Sequence, residues 1–168
     1  MNNRNNGRYR KGRGGMKAVT IDVDRIYRQL NARISERIQG QEESRRLMDL
    51  VKRDHVDRSA AIAETDRRIG ESTHAINQLI SELCRYPGKH RAMNLAERYL
   101  EQEISRAKKV TAHWQRTIHQ VESGRRTLIC ATGIVHSDTR NSRDYVSHKQ
   151  RQTAKLEKWL SYVRSHRL

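Results

Sequence analysis

Apolar residues recur every seven positions through residues 18–85, which is the pattern of a long helix packed against another helix. One set of heptad positions is mostly apolar and comprises Tyr27, Ile34, Gln41, Met48, His55, Ile62, Ile69, Ile76 and Leu83. The partner set is apolar at its ends and middle and comprises Val23, Leu30, Arg37, Ser44, Val51, Arg58, Thr65, Ser72 and Leu79. A sustained period of seven implies a left-handed supercoil. The pattern therefore predicts one long or once-bent helix in a helical bundle or coiled coil.

Two glycines and one histidine interrupt this stripe. Gly40 and Gly70 would each cost about 1 kcal/mol in a helix interior. We expect any bend or break at residues 39–44, where Gly40 coincides with polar seam positions. His55 falls on the seam, and we favour a polar residue that sets the helix register over a pH switch.

A turn at residues 86–89 should end the first helix, because Pro87 is the only proline and Gly88 follows it. A second heptad stripe then comprises Leu100, Ile104, Ala107, Thr111, Trp114, Ile118 and Val121. We predict an antiparallel helical hairpin over 18–123. The second helix, roughly 50 Å long, covers only part of the first, so we predict an oligomer. The residues predicted to mediate self-association are Tyr27, Leu30, Ile34, Met48, Val51, Ile62, Ile69 and Ile76.

The last segment, 124–168, should contain an apolar connector and a third helix. Gly124 is a plausible helix C-cap, and the apolar run 128–135 could be a short strand, a buried loop or the edge of a bundle. A basic amphipathic helix is predicted from about 140 to 166. The basic residues of this segment that we expect to contact a polyanion are Arg125, Arg126, Arg140, Arg143, Lys149, Arg151, Lys155 and Lys158.

Charge is concentrated at the two ends of the chain, which has a formal net charge of +16. Residues 1–17 hold six basic residues and no acid, 18–85 hold twelve of each, and 86–168 hold seventeen basic and seven acidic residues. Such basic ends indicate a polyanionic partner, with nucleic acid favoured over an anionic membrane surface. No apolar run is long enough to cross a bilayer or to act as a signal peptide. We expect a cytoplasmic, nuclear or virion-internal location.

Residues 1–17 should form a basic arm that is disordered when free. Its composition is similar to that of the basic arms of viral coat proteins and of RGG-type RNA-binding proteins, but it contains no motif that defines a family. The arm slightly favours RNA over DNA. Its predicted contact residues are Arg4, Arg8, Tyr9, Arg10, Lys11, Arg13 and Lys17.

No motif indicates catalysis or a cofactor, since the chain has no P-loop, nucleophile elbow or HExxH pattern. Cys84 with His90 and Cys130 with His136 could suggest zinc, but the predicted second helix separates the two pairs. We therefore expect no metal site. Aromatic residues are scarce at 5%, which argues against a base-stacking surface.

The sequence thus predicts an all-α, non-catalytic protein that binds nucleic acid with little sequence specificity. Coating, packaging or sequestering DNA or RNA as an oligomer, as a viral nucleoprotein does, is the favoured role. One alternative is a coiled-coil scaffold or adaptor whose basic tails bind acidic proteins. Another is a sequence-specific phage or plasmid regulator, although no helix-turn-helix is recognisable.

Overall fold

Four helices and one short β-hairpin make up the structure, a computed structural model that describes the backbone of residues 13–168 and side chains from residue 19 onward. The helices are α1 (Arg13–Asp54), α2 (Ser59–Leu83), α3 (Arg91–Glu122) and α4 (Arg140–Ser165). The strands are β1 (Leu128–Ile129) and β2 (Val135–His136). The all-α fold class is confirmed. Of the predicted arm, residues 1–12 lie outside the described chain, and α1 begins at Arg13.

The first helix does not continue to the turn at 86–89, because the chain reverses direction at residues 55–58. His55 adopts a left-handed φ of 56°, and a carboxylate oxygen of Asp54 accepts a hydrogen bond from the Val56 amide at 3.0 Å. Asp57 accepts one from the Ser59 amide at 2.8 Å. Aspartate side chains that bind nearby amides compete with the helical hydrogen bonds. The prediction of one long helix is therefore wrong at this point, and His55 is an exposed turn residue.

Helices α1 and α2 consequently form a hairpin, and the heptad stripe packs against itself. Arg37 donates to Thr73, and Ser44 donates to Asp66, as expected for antiparallel neighbours. Among the residues predicted to mediate self-association, the buried ones are Leu30, Val51, Ile62 and Ile76, and the half-buried ones are Tyr27, Ile34, Met48 and Ile69. Much of the predicted self-association stripe therefore packs within one chain, although α2 with 25 residues is shorter than α1 with 42. Self-association stays a prediction.

Helix α1 runs through Gly40 without a break. A Cβ atom built at Gly40 would lie 2.7 Å from Cγ1 of Ile69, so the missing side chain lets α1 and α2 approach closely. At Gly70 nothing lies within 4 Å of such an atom. The two glycines therefore occupy different environments, although their helix propensities are equal.

The turn at 86–89 is confirmed, and the second hairpin of the bundle, α3 with α4, follows it. The Gly88 amide donates to the His166 carbonyl at 2.9 Å, which joins this turn to the end of α4. Helix α1 packs across α3, whereas α2 and α4 hardly contact each other. The buried core between the hairpins comprises Val23, Ile26, Leu30, Ile76, Ile80, Leu83, Cys84, Ala92, Met93, Ala96, Tyr99, Leu100, Ile104, Leu160 and Val163.

The connector between α3 and α4 is a β-hairpin that packs on the α1–α2 turn. Gly124 ends α3 with a φ of +71°, as predicted, and Leu128 pairs with His136 across the strands. The Arg58 amide donates to the Ala131 carbonyl at 3.0 Å. At Gly133 an added Cβ would lie 2.1 Å from the His55 carbonyl oxygen, so this glycine is required for the contact. These contacts attach the connector, which leads into α4, to the hairpin of α1 and α2.

Candidate nucleic-acid interface

The predicted contact residues of the arm cannot be placed. Those outside the described residues are Arg4, Arg8, Tyr9, Arg10 and Lys11. Arg13 and Lys17 lie in the first turns of α1, and their side chains fall outside the described set. The interface that the structure can describe is therefore built from the remaining predicted residues, in 124–168.

Several of those predicted residues are engaged within the protein. Arg140 forms an ion pair with Asp138 at 2.7 Å, and Arg143 pairs with Glu122. Arg126 donates weakly to Thr117 at 3.4 Å. Exposed ion pairs contribute little to stability, but they lower the local positive charge that a polyanion would encounter.

Three other basic residues form an uninterrupted row along one edge of α4. Arg151, Lys155 and Lys158 are exposed, and none of them forms an ion pair with any side chain of residues 19–168. Their spacing of four and three residues places them on the same side of the helix. The row spans about 10 Å along α4, close to three phosphate-to-phosphate steps along one strand of a duplex. We call these three residues the α4 row.

The α4 row lies beside an open groove of about 800 Å³ between α2 and α4. We call this cleft the α2–α4 groove. It exists because the two hairpins meet along α1 and α3 and leave α2 and α4 apart. The other residues that line it are Arg37, Thr73, Asn77, Tyr99, Glu103, His148, Gln152, Leu156, Trp159 and Tyr162.

A buried charge pair lies among the lining residues of the groove. Nη1 of Arg37 is 2.8 Å from Oε2 of Glu103, and both side chains are only 9% exposed. Nε of Arg37 donates to Thr73 at 2.8 Å. The other carboxylate oxygen of Glu103 accepts from Arg106 at 2.5 Å. One buried carboxylate therefore serves two guanidinium groups, which leaves an excess of positive charge.

Burial is the main cause of the pKa shifts of two groups near this pair, and Arg37 has a smaller effect on each. Lys149 is half-buried on α4, and its pKa is lowered first by burial and then by the positive charge of Arg37. Burial also raises the pKa of Tyr99 to about 12, despite the opposing effect of Arg37. Tyr99 therefore stays a neutral hydroxyl that can donate a hydrogen bond near neutral pH.

Two aromatic residues of α4, Trp159 and Tyr162, line the groove. The rings of Trp159 and Tyr162 stack with centroids 5.4 Å apart and planes within 5°. His166 lies against Tyr162 at 4.3 Å between ring centroids. Sequence reasoning placed Arg37 in the heptad stripe and made no prediction of a site at Trp159. It therefore missed the groove, which both residues line.

A second basic area lies on α3. It includes three basic residues that are close in sequence, Arg106, Lys108 and Lys109. Of these, Arg106 forms an ion pair with Glu103, and Lys108 forms one with Glu157 at 2.7 Å. Lys109 is exposed, as is Arg116 one heptad later. Together with the exposed Arg98, they offer a charge-matched comparison for the α4 row.

The structure contains few other features that suggest chemistry. Within residues 13–168 no cluster of three or more His, Cys, Asp or Glu side chains is arranged to bind a metal ion. In the same part of the chain, no helix combines the length and apolar character needed to cross a membrane.

Comparison with known proteins identifies no relatives: no protein-family model matches the chain, and no curated protein or solved structure shows significant similarity.

Proposed function

We propose that this protein binds nucleic acid through phosphate contacts along α4 and does not read the base sequence. The observation that carries the proposal is the α4 row, in which Arg151, Lys155 and Lys158 have no ion-pair partner among the described side chains. Unpaired cations on a straight helix edge suit a regularly charged backbone. Phosphate contacts position a protein on nucleic acid but carry no sequence information.

The basic residues of 1–17 would strengthen this binding. An arm linked to the same chain as the α4 row raises the effective concentration of its cations near the phosphates. Coating, packaging or sequestering nucleic acid, as viral nucleoproteins do, is the role that such contacts suit. The composition of the arm slightly favours RNA. Assembly as an oligomer stays part of the proposal, because several copies would add their individually weak phosphate contacts together.

The proposal can be tested with two variants that remove the same number of charges. In the first, Arg151, Lys155 and Lys158 are each replaced by Gln. In the second, Arg98, Lys109 and Arg116 on α3 are replaced in the same way. Binding is measured by fluorescence anisotropy with labelled single- and double-stranded DNA and RNA. At low salt, the α4 variant should bind with an affinity about 10- to 100-fold lower than that of the unmodified protein. The affinity of the α3 variant should fall much less.

An equal loss in both variants would mean that only net charge matters, which would contradict a defined interface. If the unmodified protein fails to bind any nucleic acid at low salt, the proposal is wrong. The adaptor alternative, in which the basic surfaces bind acidic proteins, would then be preferred.

A further inference from the structure

We propose that the α2–α4 groove binds a single unpaired nucleotide, with its phosphate at the basic residues of the groove and its base against the apolar wall. This inference rests on the proposed function, because it specifies which form of nucleic acid the α4 row presents to the groove. The bound unit is a nucleoside phosphate. It could come from a free nucleotide or from a single strand.

The first argument is the charge of the groove. Arg37 is buried, and within the described residues its Nη1 atom makes no hydrogen bond of proper geometry, although Glu103 is nearby. A buried donor without an acceptor is unfavourable. Arg106 shares the same carboxylate, so Glu103 cannot neutralise both groups. An anion that enters the groove would balance the excess positive charge.

The second argument is the composition of the two walls. On the α4 side, Leu156 and Trp159 provide partly exposed apolar surface, while Tyr99 of α3 lies behind them. On the α2 side, Thr73 and Asn77 are polar. A nucleobase is a flat apolar ring with a polar edge, and it can contact both kinds of wall at once. An amide such as that of Asn77 both donates and accepts hydrogen bonds, so it would tolerate different bases.

The third argument is size and access. The groove volume of about 800 Å³ lies within the usual range for small-molecule sites. A base in a duplex is covered by its partner and its stacked neighbours, so only an unpaired base can enter. The α4 row lines the groove on its α4 side, where it can hold the adjoining phosphates of a strand. An acidic amphipathic helix would match the basic residues but would leave the polar α2 wall without partners.

The experiment compares strands with equal numbers of phosphates. Binding of a thymine oligonucleotide of about 20 nucleotides is compared with that of an abasic strand of the same length. Stacking and burial of bases should make the normal strand at least about tenfold tighter. Asn77→Trp, which fills the groove from an exposed α2 position, should abolish this difference and retain binding to the abasic strand. Gln78→Trp, at an exposed α2 position that lies beside α1 and does not line the groove, is the matched control and should behave like the unmodified protein.

Circular dichroism and thermal unfolding establish that each variant is folded. If Asn77→Trp does not fold, Gln152→Trp obstructs the same groove from α4. Thymidine monophosphate, titrated separately, distinguishes the two sources of the ligand. If the monophosphate binds saturably and Asn77→Trp abolishes this binding, the ligand is a free nucleotide. If affinity for the oligonucleotide depends on the bases but the monophosphate does not bind, the ligand is a nucleotide within a strand.

Equal affinity for the normal and abasic strands would overturn the groove proposal and leave phosphate binding by the α4 row intact. Failure to bind either strand would overturn the proposed function itself. A third outcome is that an acidic amphipathic peptide displaces the normal strand while the normal and abasic strands bind equally well. This result would assign the groove to a protein partner and would also overturn the proposal.

Discussion

At the scale of single residues, Arg37 is the side chain with the largest consequences. It is buried with Glu103 between α1 and α3 and lies 6.0 Å from the centre of the Tyr99 ring. Moving two charges out of water costs several kcal/mol per ion, and the attraction between them offsets this cost only while both are present. The pair therefore holds the two hairpins in one arrangement and contributes to the lining of the groove.

Replacing Glu103 by Gln should destabilise the protein strongly. The change preserves the shape of the side chain but leaves the Arg37 charge buried without compensation, so we expect the free energy of unfolding to fall by about 3 kcal/mol. Urea denaturation measures this value. Glu36→Gln is the control, because it disrupts an exposed pair with Arg33 and should change stability by about 0.5 kcal/mol or less. If Glu103→Gln changed the free energy of unfolding as little as Glu36→Gln does, Arg37 would be solvated, which would contradict a buried pair.

The two helix-interior glycines should respond to alanine in opposite directions. Gly70→Ala should raise the free energy of unfolding by about 0.5–1 kcal/mol, because the helix propensity improves and nothing lies within 4 Å of the new atom. Gly40→Ala should lower it by about 1 kcal/mol, because crowding against Ile69 outweighs the propensity gain. Chemical denaturation of both variants tests the pair. Stabilisation of similar size by both would contradict the close approach of α1 and α2.

At the scale of elements, the turn at 55–58 determines the architecture. Asp54 binds the Arg58 guanidinium through both carboxylate oxygens at 2.6 Å and also accepts from the Val56 amide. These contacts replace the helical hydrogen bonds that would otherwise continue α1. The β-hairpin connector then covers the turn through the Arg58 amide. The turn at 55–58 thus connects α1 to α2 and also contacts the β-hairpin connector.

The carboxyl of Asp54 should titrate well below its ordinary range. The Arg58 hydrogen bonds, followed by the Val56 amide, lower its pKa to about 2. A depressed folded-state pKa means that the turn gains stability above the unfolded pKa of about 4 and loses it as the pH falls through 2. Carboxyl carbon NMR shifts should give a midpoint near 2. Arg58→Ala should raise that midpoint toward 4, whereas Arg53→Ala should not. A midpoint near 4 in the unmodified protein would refute the bidentate contact.

At the scale of the whole molecule, the heptad pattern identified the buried stripe but not the direction of the chain. An antiparallel hairpin places the same stripe against itself, so the periodicity of residues 18–85 continues through the reversal unchanged. The turn at 86–89 was predictable because Pro87 and Gly88 mark it. The turn at 55–58 has no proline or glycine and depends on aspartate contacts, which sequence periodicity does not register.

The candidate site was predictable only in part. The sequence identified Arg151, Lys155 and Lys158 as members of a larger basic set, because net charge and helical spacing are visible in it. It could not separate them from Arg140 and Arg143, whose neutralising partners, Asp138 and Glu122, lie in the connector and on α3. The α2–α4 groove depends on how far apart two hairpins pack, which is a property of the folded chain.

The central claim, that the α4 row contacts phosphates, is tested most directly by the salt dependence of binding. Affinity for one oligonucleotide is measured across a range of salt concentrations for the unmodified protein and for the two charge-matched variants. Neutralising Arg151, Lys155 and Lys158 should reduce the slope of log affinity against log salt by about two to three, since each lost phosphate contact removes somewhat less than one unit. The α3 variant should keep the original slope. An unchanged slope in the α4 variant would contradict the account.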